Sequence, residues 1–117
     1  MNDLIEELAV AEKYLTEMLE ADRTGDYEGF IRRFDKADLE GFSKDIFLKD
    51  TEQMREELGV YKNRLYLGSL NGFKDDNHPK SLRFVWRGIY EMNEALIVLG
   101  IHEKDGVWYV NDNVISK

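Results

Sequence analysis

The sequence predicts an α+β domain in which three helices precede a four-stranded antiparallel meander. Two observations carry that expectation. Apolar residues recur at three- and four-residue spacing as far as Leu58-Gly59 and at two-residue spacing beyond it. The charge divides at the same place, with 17 acids and 8 bases in residues 1–58 against 7 acids and 8 bases in 59–117. With 117 residues, 43% of them hydrophobic, and no repeat or low-complexity stretch, the chain reads as one domain over 1–117. The charge shift then marks a change of element type within a single core.

Leu4, Leu8, Ala11, Leu15 and Met18 form the stripe of an amphipathic helix over 3–24, widened by Ile5 and Leu19. Asp3 and Glu6 have capping-box spacing at its start, and Gly25 is placed to end it in a left-handed conformation. Asp26 caps a second short helix through Phe34, with Tyr27, Phe30, Ile31 and Phe34 as its buried face. Residues 35–49 follow no single period. A third helix is expected from Asp50, where Asp50 and Gln53 repeat the capping-box spacing, Met54 and Leu58 face inward, and Gly59 stops it.

Beyond Gly59, Tyr61, Leu65 and Leu67 alternate with Lys62, Arg64 and Tyr66 in a strand running to about Phe73, followed by a polar loop over 74–80 that contains Pro79. In the next strand Leu82, Phe84, Trp86, Gly88, Tyr90 and Met92 share one face, and Arg83, Val85, Arg87, Ile89 and Glu91 the other. Asn93-Glu94 turns the chain. Ala95 to Ile101 is apolar everywhere but Gly100, which predicts cover on both faces, and Lys104-Asp105-Gly106 leads into a last strand over 107–115.

Composition narrows function. No Cys means no disulfide, thiol nucleophile or thiolate metal site. A net charge of -8 opposes nucleic-acid binding, which needs clustered Lys and Arg. The acidic start and the brevity of the apolar run 95–99 give no sign of a targeting or membrane segment, so the expected location is cytoplasmic. Gly68-Ser69-Leu70-Asn71-Gly72 lacks the spacing and the Lys of a phosphate loop, and no cofactor motif is present. His78 and His102, 24 positions apart, have no metal-ligand spacing, and Asp75-Asp76-Asn77 reads as a solvated hairpin tip. Arg64, Arg83 and Arg87 are expected to pair across strands with Glu91 or Glu94.

The order of these signals resembles the NTF2-like, or cystatin-like α+β, superfamily: a long first helix, Gly25-Asp26-Tyr27 with Phe30 behind it, a helix ending Leu58-Gly59, and strands closing on Asp105-Gly106-Val107-Trp108-Tyr109-Val110. The resemblance covers residues 3–34 and 50–115 and implies a curved sheet wrapped as a cone around the first helix. It departs from the family over 35–49, where members place a short edge strand. It also implies a cavity lined here by Tyr14, Phe30, Phe34, Phe84, Trp86 and Tyr90, and a homodimer through the outer sheet face at Val85, Ile89, Leu96 and Val98. The expected function is a non-enzymatic module binding a small apolar molecule or another protein, without metal or cofactor. Likeness to the ketosteroid isomerase branch implies instead a small-carbonyl isomerase with Tyr14 as oxyanion donor and Asp38 or Asp45 as base, although 96–101 offers no acid as second donor. A dehydratase would pair a His such as His102 with an Asp. A third expectation is an acidic immunity-type protein that neutralises a basic partner such as a nuclease.

Overall fold

A computed structural model describes residues 4–72, 78 and 80–117. Helix α1 spans Ile5–Thr24, α2 Tyr27–Ile31 and α3 Lys44–Leu58, with a 3-10 turn at Lys36–Leu39 between the last two. Strands β1 (Tyr61–Asn71), β2 (Ser81–Tyr90), β3 (Glu94–Lys104) and β4 (Val107–Ser116) follow, each antiparallel to the next in the open order β1-β2-β3-β4. The α+β order expected from the two periodicities is therefore observed. The capping role read for Asp3, the end of the first strand at Phe73, and the readings of Lys74, Asp75-Asp76-Asn77 and Pro79 lie outside the described residues.

The core forms where α1 crosses one face of the sheet. Ala11, Leu15, Met18 and Leu19 meet Phe84, Trp86, Ile97, Leu99, Ile101 and Val110, all of them buried. Fully burying one such aliphatic or aromatic side chain contributes roughly 1.5–3 kcal/mol, so this contact dominates the stability of the fold. Gly25 ends α1 at φ 71°, and the Asp26 carboxylate accepts from the Gly29 N–H at 3.0 Å to start α2. The β3–β4 hairpin turns on Asp105 and Gly106 at φ 54° and 80°, consistent with a tight turn of the primed type.

Several boundaries and faces differ from expectation. The second helix stops at Ile31, and Phe34 instead makes a parallel bridge to Val110, fixed by Val110 N–H donating to Arg33 O at 2.7 Å and Asp35 N–H to Val110 O at 3.1 Å. The third helix starts at Lys44, not Asp50, because the Ser43 hydroxyl caps it by accepting from Ile46 N–H at 3.3 Å. Its inward line is Phe47, Thr51, Met54 and Leu58. Exposed Ile46 and Leu48 obscure that line in the sequence.

In β1, register shifts between Tyr61 and Asn63 and between Tyr66 and Gly68 invert the expected alternation. Tyr61, Arg64 and Tyr66 stand opposite Tyr90, Gly88 and Trp86 on the face of α1, whereas Leu65 stands opposite Arg87 on the outer face. Arg64 consequently reaches α1 rather than a strand acid. Its guanidinium donates to Glu12 Oε1 at 2.7 and 2.9 Å and to Thr16 Oγ1 at 2.7 Å, while the Trp86 indole N–H donates to Glu12 Oε2 at 3.2 Å. Arg83 donates to Asn71 O at 2.9 and 3.0 Å; of the three arginines, Arg87 makes the expected strand pair, with Glu94 at 2.6 Å. In β3, Ala95, Ile97, Leu99 and Ile101 are buried, while on the other face Leu96 is 45% exposed and Val98 half-buried, so the described residues of one chain cover that face only in part.

Candidate functional site

A half-open cavity of about 670 Å³ lies between α2, the 3-10 turn, α3 and β4. Its aromatic wall is built by the short helix and the entry to α3. Phe30 packs on Phe47, Phe42 and Phe34 with ring centroids 5.0, 5.8 and 5.9 Å apart. Acids complete the lining: Asp22 from α1, Asp38 from the 3-10 turn, Asp50 and Glu57 from α3, and Asp112 from β4, with Lys117 as the lining base. Lys117 already faces Glu57 in an ion pair. Two buried acceptors in the lining residues, Asn111 Oδ1 and Asp38 Oδ2, have no hydrogen-bond partner among the described residues.

Asp22 continues the apolar stripe of α1, four residues past Met18, and the consequence is electrostatic. Burial, reinforced by Asp50, pushes its carboxyl up to about 7. Nearby Tyr90 is pushed up as well, chiefly by burial and then by Asp22, and its buried hydroxyl has no partner among the described residues.

Of the residues expected to line a cavity, Phe30 and Phe34 do. Phe84 and Trp86 are fully buried in the α1 core, and Tyr90 borders a small separate cleft with Asp22 and Tyr61. Tyr14 donates its hydroxyl to Trp108 O at 3.1 Å and carries Arg33 over its ring at 4.9 Å. Asp45 is exposed in the first turn of α3. Val85, Ile89, Leu96 and Val98 stand together on the outer sheet face, where Val85 pairs with Val98 and Val98 with Val114.

A second polar grouping sits beside the 3-10 turn. His102 on β3 is buried, with Nε2 3.0 Å from Asp35 Oδ2, which also accepts from Lys104 Nζ at 2.8 Å. Lys104 is the main cause, with His102 behind it, that holds the Asp35 carboxyl well below the usual carboxylate range. His78 Nε2 lies 2.8 Å from Asp38 Oδ1, and the two imidazole rings approach to 4.7 Å between centroids. Sequence spacing gave no hint of this meeting. It follows from the β2–β3 register, which sets Ser81 opposite His102 and so brings the chain just ahead of β2 to that histidine.

Phe42, Phe47, Asp22 and Asp112 are cavity residues that the sequence reading did not single out, and Asp50 enters it as a helix cap only. Asp22 left a trace, an acid on an apolar stripe; the others left none. Comparison with known protein families and with curated sequences finds no match to this chain.

Proposed function

We propose that the protein is a small-molecule-binding module of the NTF2-like kind whose ligand is an amphipathic organic cation held in the cavity between α2, α3 and β4. The lining carries the reading: four phenylalanines beside five carboxylate side chains, with one lysine already paired. The volume lies within the usual range for ligand pockets, roughly 300–1,000 Å³. Aromatic faces and carboxylates both attract a desolvated ammonium group. The acidic lining shifts the expectation from a purely apolar ligand to one with an apolar body and a positive end.

The test uses matched probes sharing one phenylalkyl skeleton and ending in ammonium, hydroxyl or carboxylate. Thermal-shift and calorimetric titrations should rank the ammonium probe first by at least tenfold in affinity, and Asp50→Asn should reduce that preference. Equal or tighter binding of the hydroxyl probe would remove the reading.

The reading includes a homodimer through the outer sheet face, supported by the exposed Leu65, Leu96 and Val114 around half-buried Val85 and Val98. Such a face on one chain matches itself about a two-fold axis.

A further inference from the structure

We propose that Asp38, His78 and His102 form a binding site for one divalent transition-metal ion of the zinc type. One donor atom from each of the three lies within 4.8 Å of the other two. The decisive residue is His102. Asp35 is a carboxylate pinned by Lys104, so it can only accept a hydrogen bond, which places the His102 proton on Nε2. The lone pair is then on Nδ1, and that atom is buried without a partner among the described residues. An imidazole fixed through one nitrogen by a carboxylate, with the other nitrogen turned to a metal, is the usual arrangement of a metal-binding histidine.

Asp38 adds to the case. Its Oδ1 faces His78 Nε2 at 2.8 Å while Oδ2 is buried and unsatisfied among the described residues, so the carboxylate has acceptor capacity that those residues do not use. Two imidazole nitrogens and one carboxylate oxygen suit zinc and its neighbours, whereas calcium and magnesium prefer an all-oxygen shell. Three protein ligands leave a fourth position for water or ligand. The three side chains come from the 3-10 turn, the approach to β2 and β3, so metal would tie those segments together. Asp38 also lines the cavity, which puts the ion at its wall.

The alternative is a hydrogen-bonded tie that needs no ion, and the two histidines of the chain make the distinction direct. Tag-free protein, stripped with chelator and isotopically labelled, is titrated with zinc chloride alone while histidine ring nitrogens are followed by long-range nitrogen–proton NMR. The expected result is saturation at one equivalent at tens of micromolar protein, with the unprotonated nitrogens of both rings shifting together. His78→Gln and Asp38→Asn should each weaken binding at least tenfold, read by calorimetry. Shifts in only one ring, saturation needing millimolar zinc, or no shift at all would overturn the proposal, whatever the fate of the variants. No organic ligand enters the experiment, so its outcome is independent of the cation-binding reading.

Discussion

Glu12 ties three elements together. One oxygen receives Arg64 from β1 and the other receives the Trp86 indole from β2, so a single carboxylate of α1 fixes the helix against two strands. Removing it takes the charged partner from a guanidinium that is 15% exposed, leaving Arg64 with the Thr16 and Tyr61 hydroxyls, and strands a buried indole N–H. Glu12→Ala should therefore cost about 2–3 kcal/mol in chemical denaturation, with Glu12→Gln costing less. A loss below about 0.5 kcal/mol would mean that water replaces the carboxylate. Asp22 acts in the opposite sense. Its folded carboxyl titrates near 7 against an ordinary value of 3.8, so its burial costs nothing in acid, and the cost grows as pH rises between those values. Asp22→Asn should be stabilising at pH 8 relative to pH 4 by about 4 kcal/mol, at about 1.4 kcal/mol for each of the roughly three units of displacement. Denaturation curves of both proteins across that window test the sign. The same residue predicts that an ammonium ligand, by favouring the charged carboxylate, releases protons near neutral pH, visible as a buffer-dependent binding enthalpy.

At the scale of elements, caps and turns were legible where local chemistry decides them, and faces were not where a register shift or an exposed apolar residue intervenes. Gly25, Asp26 and Asp105-Gly106 do what their side chains dictate, because left-handed backbone and helix N-termini tolerate few residue types. The β1 face was inverted by two irregularities that two-residue alternation cannot reveal, and Arg64 was misassigned with it. The start of α3 was hidden because Ile46 and Leu48 sit exposed on either side of buried Phe47. Two carboxylate–histidine contacts were invisible for a different reason: they depend on strand register, a long-range property. The Ser43 cap provides the check on α3. Ser43→Ala should lower stability by about 1 kcal/mol, whereas Asp50→Asn, now mid-helix, should leave the helix intact by circular dichroism. The reverse ranking would restore the later start.

At the scale of the whole molecule, the sheet has a covered face and an open one, and the open one is apolar along its middle. Val85, Val98 and Val114 lie in register across β2, β3 and β4, with Leu96 45% and Leu65 46% exposed beside them. A single exposed leucine needs no explanation; a row of β-branched residues across three adjacent strands does. The Arg87–Glu94 pair at the rim supplies both signs of charge, so two copies meeting face to face need not oppose like charges. The proposed dimer should appear in light scattering at tens of micromolar protein. Val98→Lys places a charge at the centre of the row while leaving the α1 core untouched, and should give a folded monomer with an unchanged cavity. Wild-type protein that stays monomeric at 100 micromolar, or a Val98→Lys variant that still pairs, would leave that face without its proposed partner and return the row of valines to simple sheet pairing.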